Sequence, residues 1–418
     1  MRYLYTILLY FATPFLVLRL FWKSRKNPAY RQRWWERFGF FTWQPQSQCL
    51  WLHAVSLGES IAAVPLITAL IEQYPDYAIT VTTTTPTGAQ FIQKKFDTHV
   101  QHIYAPFDLP SIIRRFLQKL RPVKMIIMET ELWPNLLLEL QRAEIPVMIA
   151  NARLSEKSFA KYQRAKRFFK PLLQSIKMVA AQSENDGQRF AALGVLPQCI
   201  MITGNIKFDQ TIPASVIEQA KILRQHWQAR PTWIAASTHS GEETEILAAL
   251  ALIRQQFPHT LLIIAPRHPE RFQSVADLCK SNNYTLARRS QHEIPCTKTA
   301  IYLADTTGEL LLLYAASDVA FVGGSLIPMG GHNLIEPASL GLPIISGPHL
   351  QNFTTIRDLL LHQDGLLLVN NAKELAQQVM QLFKNQALRQ QRGARAWRVS
   401  EQNRGALAKH LHWIQGNH

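Results

Sequence analysis

The sequence predicts an α/β protein with two doubly wound, Rossmann-like domains and an amino-terminal membrane-associated segment. Its 418 residues suit two or three domains at roughly 150 residues each. Short apolar runs alternate with helical stretches in two successive series, which indicates parallel sheets covered on both faces. A stretch of 16 uncharged residues (3–18) near the start, followed by basic residues, predicts the membrane segment.

Composition narrows the class of protein. Hydrophobic residues make up 47% of the chain and charged residues 18%, which excludes intrinsic disorder. The net charge of +16 indicates an anionic partner such as a nucleic acid, a phosphorylated substrate or a membrane surface. The four cysteines are far apart and lack zinc-site spacing, so we interpret them as thiols in a reducing compartment. They are Cys49, Cys199, Cys279 and Cys296.

The uncharged stretch at residues 3–18 is followed by Arg19, Lys23, Arg25 and Lys26. It is short for a spanning helix, which needs about 20 apolar residues, and no small-residue cleavage site follows it. If it spans, the basic residues place the rest of the chain in the cytoplasm. If it lies flat, they bind anionic head groups. A buried core helix is the alternative to both.

Thirteen apolar runs are typical of strands. The first series comprises residues 49–55, 78–85, 100–106, 123–130, 147–152, 179–183 and 200–205, and the second comprises 233–237, 261–266, 300–305, 319–324, 343–347 and 366–369. We therefore predict a membrane segment, two successive Rossmann-like domains and a last helix that packs back on the first domain. Their predicted ranges are 1–26, 27–207, 208–385 and 386–418.

Ligands of open parallel sheets bind beyond the carboxyl ends of the strands, so the first domain's strand-ending loops hold candidate catalytic groups. Glu59 follows the first strand and stands at the start of a helix. It is either a catalytic base or an acid that stabilises the helix dipole. Glu129 and Glu131 lie at the end of the fourth strand. They either belong to a functional site or cap the helix that follows. Lys207 follows the seventh strand, facing an anionic substrate or paired with Asp209.

The second domain has the features of a nucleotide-phosphate site. The hydroxyls of residues 237–243 are suited to capping a helix, and Arg267 follows the next strand. Residues 323–336 are rich in glycine, and a helix beginning near His332 would direct free N–H groups at a phosphate. Tight turns alone are the alternative. Neither a Walker loop nor G-x-G-x-x-G occurs there, which disfavours ATPase and dinucleotide functions.

A basic run spans residues 153–177, with eight Lys or Arg and one acid. Such a run is often only a solvated face. Beside the membrane segment, and with apolar residues between the charges, it indicates docking on anionic lipid. Nucleic acid is not expected as a partner, because no nucleic-acid-binding signature is present.

The motifs HAVSLGES, METELWPN, TGNIKFD, STHSGEE, APRHPERF and FVGGSLIPMGGHNLIEPA resemble those of the 3-deoxy-D-manno-octulosonic acid (Kdo) transferases. The resemblance covers nearly the whole chain. It implies the glycosyltransferase-B fold and transfer of Kdo from CMP-Kdo to the lipid A precursor, lipid IVA, in lipopolysaccharide synthesis. It also implies a location at the cytoplasmic face of the inner membrane, held there by the amino-terminal segment.

The resemblance also implies roles for individual residues. Glu59 matches the family's proton acceptor, and Glu129 and Lys207 match residues that support the transition state. The positions that match its CMP pocket are Arg267, His268, Gly308, Glu309, Leu310, Asn333, Leu334, Ile335 and Glu336.

We expect inverting, metal-independent transfer without a cofactor, CMP-Kdo being the donor substrate. No Asp-x-Asp triplet suited to a divalent ion lies at a strand end, and Lys207 with backbone donors is suited to stabilising the leaving CMP. Two alternatives remain at this point: a transferase of the same fold that uses a UDP-sugar, and a non-catalytic membrane or nucleic-acid binder.

Overall fold

The computed structural model describes residues 2–25, 27–209 and 211–416. The chain forms two compact units, one of Met1–Gln210 with Arg404–His418 and the other of Thr211–Asn403. Lys26, which the sequence places in the basic stretch after the membrane segment, lies outside the described residues.

The first unit contains a parallel seven-stranded sheet with helices on both faces. Its elements are α1 (Arg2–Ser24), β1 (Cys49–His53), α2 (Leu57–Gln73), β2 (Ala78–Thr83), α3 (Pro86–Phe96), β3 (Gln101–Tyr104), α4 (Pro110–Leu120), β4 (Pro122–Met128), α5 (Pro134–Arg142), β5 (Val147–Ala152), α6 (Glu156–Arg164), α7 (Lys166–Leu173), β6 (Met178–Ala181), α8 (Glu184–Leu193) and β7 (Ile200–Ile202). The strand order is β3-β2-β1-β4-β5-β6-β7. Nearly every residue of the central strands is buried, because both faces carry helices.

The second unit repeats this architecture. Its elements are α9 (Ala214–His226), β8 (Thr232–Thr238), α10 (Glu242–Gln256), β9 (Leu261–Pro266), α11 (Phe272–Ser281), β10 (Leu286–Arg288), β11 (Ile301–Leu303), α12 (Leu310–Ala315), β12 (Val319–Val322), α13 (Ile335–Ser339), β13 (Ile344–Ser346), α14 (Thr354–His362), β14 (Leu366–Leu368), α15 (Ala372–Lys384) and α16 (Gln386–Gln402). The strand order is β10-β11-β9-β8-β12-β13-β14, again all parallel. The prediction of two doubly wound sheets is therefore confirmed.

One edge strand, β10, was not predicted. It has three residues and ends in Arg288, so it lacks the apolar run by which the other strands are recognised. The strand β10 is recognised only in the structure, where it pairs in parallel with β11. This edge matters for the site, since Arg289 follows it.

The end of the chain differs from the predicted single helix over 386–418. The helix α16 belongs to the second unit, where Gly393 lies so close to Gly341 that an added Cβ would meet the Gly341 carbonyl oxygen at 1.9 Å. A turn at Gly405, with φ of +102°, separates it from α17 (Ala406–Gln415). Only this last helix packs on the first unit, where Leu411 and Trp413 join its core. The unit boundary also falls after Gln210 and not after Lys207.

The α17 helix is held by polar contacts with the turn after β7. The Asp209 carboxylate accepts hydrogen bonds from the Gly405 N–H at 2.6 Å and the Leu407 N–H at 2.8 Å. Buried His410 accepts the Asn151 N–H through Nε2 at 2.9 Å and donates from Nδ1 to the Ala406 carbonyl. Asp209 is thus a helix cap, and the predicted alternative of a Lys207–Asp209 surface pair is wrong.

We expect Asp209→Ala to loosen α17 at a cost of about 1 kcal/mol, the usual loss for a helix cap. Hydrogen exchange over residues 406–415 measures this directly. Asp76→Ala, which changes an exposed loop aspartate of the same unit, is the control. Unchanged protection of α17 in Asp209→Ala would contradict the assignment.

The amino-terminal helix α1 lies along the first unit. Tyr5, Thr6, Leu9 and Thr13 face that unit, and Leu9 packs against its core. The opposite face is apolar and exposed, with Tyr3, Leu4, Ile7, Leu8, Phe11, Phe15, Leu18 and Trp22 between 51% and 74% accessible. Residues 3–24 are long and apolar enough to cross a membrane, and Thr13 is the one buried residue of that described stretch. A buried core helix is therefore excluded.

The basic run at 153–177 forms two helices, α6 and α7, with a break at Ala165. Leu172 and Leu173 are buried in the core. Two of the apolar residues that were interpreted as part of a lipid-docking surface thus anchor α7 to the core, while Phe168 and Phe169 are half-buried. This part of the prediction is corrected, because periodicity alone did not show which way the leucines point.

Candidate functional site

Glu59 stands at the carboxyl edge of the first sheet, in the first turn of α2. Ser56 caps this helix by accepting the Glu59 N–H at 3.2 Å, and its hydroxyl donates to Glu59 Oε1 at 2.8 Å. The Val55 N–H donates to Oε2 at 2.9 Å. The carboxylate is thus held in one orientation by its own turn, with 8% of the residue exposed.

Burial raises the pKa of Glu59 to about 8. This pKa already includes the negative charges of Glu131 and Glu129, which also raise it, and the hydrogen bonds from the Ser56 hydroxyl and the Val55 N–H, which lower it. Three carboxylates from two neighbouring strand ends, β1 and β4, are therefore close enough to repel one another. A carboxyl with its pKa near neutrality suits transfer of a proton from a sugar hydroxyl.

The loop after β4 brings the other two carboxylates to this edge. Glu129 has a left-handed backbone, with φ of +57°, which is costly for a residue with a side chain. Glu131 accepts a hydrogen bond from Trp133 Nε1 at 2.7 Å, and burial raises its pKa. The sequence predicted Glu129 as the functional member of this pair. Glu131, which the sequence placed at the same strand end without a specific role, acts on Glu59 as well.

The rings of Trp133 and His53 pack together and support the loop after β4. The Trp133 ring packs edge-on against His53, the last residue of β1, with ring centroids 4.6 Å apart. His53 is fully buried, its Nδ1 pairs with the Thr82 hydroxyl, and burial lowers its pKa to about 3. His53 is therefore neutral and serves as a platform for the loop.

Lys207 lies in the 3₁₀ turn Ile206–Asp209, after β7. In strand order β7 is four positions from β1, but the turn packs back against α2, and Ile206 joins the same core cluster as α2. The Asn205 side chain accepts the Lys207 N–H, and the Asn151 side chain accepts the Ile206 N–H. The lysine backbone is thus fixed on the α2 side of the sheet, while Glu59, Glu129 and Glu131 form the cluster proper.

In the second unit, the glycine-rich loop after β12 is held by one buried carboxylate. Glu242, the first residue of α10, accepts N–H groups of His239, Gly324, Ser325 and Leu326 at 2.6–3.0 Å. The predicted capping of α10 by Ser or Thr hydroxyls is wrong, since Gly241 is the cap residue and forms no side-chain bond. The Glu242 side chain instead bonds the loop before α10 and the loop after β12, and so holds both in place.

Three histidines meet above this carboxylate. His239 and His332 share a 2.8 Å hydrogen bond between their Nε2 atoms, and their rings are stacked. The His268 ring lies edge-on to His239, with centroids 5.3 Å apart. Burial lowers the pKa of His332 to about 3 and that of His239 as well. Only His268 was predicted; the other two are spread over distant loops that the fold brings together.

The remaining predicted CMP positions fall on neighbouring strand ends. Arg267 and His268 are exposed after β9, and the Arg267 N–H bonds the Thr238 carbonyl. Exposed Gly308 has φ of +88° and precedes Glu309 and Leu310 at the start of α12. The Arg289 guanidinium pairs with Glu309 at 2.6 Å and lowers the pKa of that carboxyl. Glu309 is thus oriented by the edge strand that the sequence did not reveal.

The last group, Asn333 to Glu336, corrects the predicted helix start. The helix α13 begins at Ile335, not near His332, and has only five residues. Asn333 Oδ1 accepts the Ile335 N–H, and its Nδ2 donates to Glu336 Oε1 at 3.0 Å. Leu334 and Ile335 have buried side chains. The polar side chains available here are therefore Asn333 and Glu336.

Within residues 2–25, 27–209 and 211–416, no group of three or more His, Cys, Asp or Glu side chains is arranged to hold a metal ion. The carboxylate cluster around Glu59 and the histidines around His239 are organised instead by hydrogen bonds to the protein itself.

Comparison with known proteins gives a consistent result. Residues 32–210 match the family model described as 3-deoxy-D-manno-octulosonic-acid transferase (kdotransferase). The chain is 42% identical over 414 residues to the 3-deoxy-D-manno-octulosonic acid transferase of Haemophilus influenzae, covering 98% of this chain and 97% of that protein. It is 34% identical over 368 residues to the enzyme of the same name from Bordetella pertussis, covering 84% of each.

The fold also resembles that of solved structures. A glycosyltransferase from Rickettsia africae ESF-5 superimposes with a TM-score of 0.59, covering 89% of this chain and 98% of that one. At 15% identity this likeness concerns the fold alone. Together with the two doubly wound sheets, it confirms the predicted glycosyltransferase-B type.

Proposed function

This chain belongs to the 3-deoxy-D-manno-octulosonic acid (Kdo) transferase family, and on that basis we propose that it moves Kdo from CMP-Kdo to the lipid A precursor lipid IVA. The reaction is a step of lipopolysaccharide inner-core synthesis. One observation carries the proposal. Glu59 is buried, held by its own turn, and titrates near neutrality at the edge of the sheet where ligands of such folds bind.

In the proposed reaction, Glu59 removes the proton of an acceptor hydroxyl. An alcohol is a weak nucleophile, and a positioned base contributes about 10²- to 10⁴-fold to the rate. The oxygen attacks the anomeric carbon of Kdo, the bond from that carbon to the CMP phosphate breaks, and CMP leaves with the electron pair. Attack opposite the leaving group inverts the anomeric centre.

We assign the leaving CMP to the second unit. Arg267 and His268 follow β9 and residues 308–310 follow the adjacent strand β11, while Asn333 and Glu336 follow β12, two positions from β9 in the same sheet. Within the first unit, we assign Lys207 and Glu129 to support of the transition state. The buried side chains of Leu334 and Ile335 indicate that these two residues support the pocket from within.

We also propose that transfer needs neither a metal ion nor a cofactor. A positively charged side chain such as Lys207 is suited to supporting a transition state that develops negative charge, which is a role that a divalent ion can also play. The N–H groups of Gly324, Ser325 and Leu326, which the sequence suggested as further donors, already bond the Glu242 carboxylate. Full activity in excess chelator is the expected result. Loss of activity that magnesium restores would contradict it.

The exposed apolar face of α1 supports a place on the cytoplasmic face of the inner membrane. Eight large apolar side chains on one helix face, followed by Arg19, Lys23 and Arg25, match a lipid surface with anionic head groups. The lipid acceptor is in that same surface, so this location brings enzyme and acceptor together.

The test is a transfer assay on the purified full chain. Incubation with CMP-Kdo and tetra-acylated lipid A precursor is expected to add the mass of Kdo to the lipid. Replacing CMP-Kdo by UDP-sugars is expected to give no product, and CMP but not UDP is expected to inhibit. Transfer from a UDP-sugar, or an intact donor with folded protein and no product, would refute the proposal.

A further inference from the structure

The amino-terminal helix touches the part of the first unit that carries the carboxylate cluster. The Tyr5 hydroxyl donates to Asp108 Oδ2 at 2.8 Å, and the Thr6 hydroxyl donates to Asn135 Oδ1 at 3.0 Å. Tyr5 and Thr6 are adjacent, and both lie on the helix face opposite the exposed apolar one. A helix that served only to hold the protein on lipid would not need two specific polar contacts there.

The partners of these hydroxyls hold the start of α5. Asp108 lies in the loop before α4 and accepts the N–H groups of Asn135 at 3.1 Å and Leu136 at 2.8 Å. The Asn135 amide donates to the Asp108 carbonyl at 2.6 Å, and Asn135 is fully buried. The cap residue of α5, Trp133, forms no side-chain cap, so Asp108 caps this helix from another element.

The segment just before α5 holds Glu131. Trp133 Nε1 donates to Glu131 Oε2 at 2.7 Å, and Pro134 begins the helix with a fixed φ. A displacement of the first turn of α5 therefore moves Trp133 and the Glu131 carboxylate with it. Glu131 and Glu129 are the two charges that act on Glu59.

A second path joins α1 to the same carboxylate. Tyr162 of α6 is close enough to Glu131 that this charge, together with burial, raises the pKa of the Tyr162 hydroxyl. Phe168 of α7 packs against the Tyr5 ring, with centroids 5.9 Å apart. The groups around Tyr5 and those around Glu131 thus form one contiguous patch of side chains.

We propose that α1 is a positioning element for the catalytic carboxylates, in which Tyr5 and Thr6 hold the Asp108–Asn135 cap of α5 and thereby fix Trp133 and Glu131 beside Glu59. This inference rests on the proposed function, because it assumes that Glu59 is the base. The helix then has a role beyond attachment to lipid. When α1 packs against the first unit, the same contacts hold the carboxylates in their reactive arrangement.

The test compares two tyrosine variants of the full chain. Tyr5→Phe removes the hydroxyl that bonds Asp108, and Tyr10→Phe removes one from the same helix that pairs with exposed Ser111. On vesicles of phosphatidylethanolamine and phosphatidylglycerol, we expect equal vesicle binding for both variants and the wild type. We expect kcat to fall by about ten-fold in Tyr5→Phe only, with little change in the KM for the lipid.

A second readout does not need turnover. Carbodiimide labels protonated carboxyl groups, so the pH dependence of Glu59 labelling relative to Glu72 reports the Glu59 titration by peptide mass. The midpoint is expected near 8 in the wild type and in Tyr10→Phe, and about one pH unit lower in Tyr5→Phe, where Glu131 is less firmly held.

The outcomes separate the two proposals. If Tyr5→Phe matches Tyr10→Phe in kcat and in the labelling midpoint, the positioning role is wrong. If Tyr5→Phe loses only vesicle binding, α1 is an anchor and no more. If the wild type transfers no Kdo, the proposed function fails, and the labelling midpoint still decides whether α1 positions Glu59.

Discussion

Glu59→Gln is expected to lower kcat for Kdo transfer by about 10²- to 10⁴-fold, with a much smaller change in the binding of either substrate. Glutamine has nearly the same size as glutamate. Its amide oxygen can still accept a hydrogen bond from the Val55 N–H or from the Ser56 hydroxyl, so the fold should persist. What is lost is the proton acceptor. Product mass against time, at saturating donor and acceptor, measures the effect.

The pH dependence of the wild type is the companion result. Because Glu59 must be ionised to accept a proton, activity should rise with pH, with a midpoint near the pKa of about 8. The residual activity of Glu59→Gln should not show this rise. Glu72→Gln, at an exposed position of the same helix, should retain both the rate and the profile.

Stability should change with pH in the opposite sense. The folded-state pKa of Glu59 lies above its ordinary value of 4.5, so folding favours the protonated carboxyl. Its contribution to stability is present below about pH 4.5 and is lost as pH rises through 8.

Wild type with equal activity at pH 6 and pH 9, or a fully active Glu59→Gln, would rule out this residue as the base.

Glu242→Ala is expected to reduce the free energy of unfolding of the second unit by about 3–5 kcal/mol. The fully buried carboxylate accepts four backbone N–H groups, and alanine leaves all four without an acceptor. The loop from Gly323 to Leu326 should then exchange its amide hydrogens much faster. Because this loop carries the start of the predicted CMP pocket, CMP affinity should fall as well.

A neighbouring glutamate of the same helix gives the matched control. Glu245 accepts a single N–H, that of Ala372, and Glu245→Ala should cost about 1 kcal/mol without affecting residues 323–326. Hydrogen exchange of both segments, with urea unfolding of each full-length variant, distinguishes the two. Equal losses in both variants would show that Glu242 has no special role in holding the loop.

The first unit shows where sequence patterns are informative. Its central strands are buried on both faces and are therefore short apolar runs, and the residue that follows each run marks the carboxyl edge of the sheet. Glu59 and Glu129 could be placed at that edge from these patterns. Their roles came from the resemblance of long motifs, which fixes residue identity at each position.

Other features depend on contacts between distant segments, which no local pattern records. Glu131 was placed at the strand end from its sequence but received no specific role, because its bond from Trp133 and its effect on the pKa of Glu59 are visible only in the structure. His239 and His332 are 93 residues apart and meet only because β8 and β12 are neighbours in the sheet. The strand β10 exists through pairing and not through its own residues.

The sequence by itself determined the two parallel sheets, the apolar amino-terminal helix and the family, because each depends on residue type and spacing along the chain. The tertiary structure alone decided that the predicted terminal helix divides at Gly405, that Glu242 holds the glycine-rich loop and that α1 reaches the carboxylate cluster. These arrangements are set by hydrogen bonds between residues tens to hundreds of positions apart. Such bonds form only after the chain has buried its apolar surface, so local sequence cannot specify them.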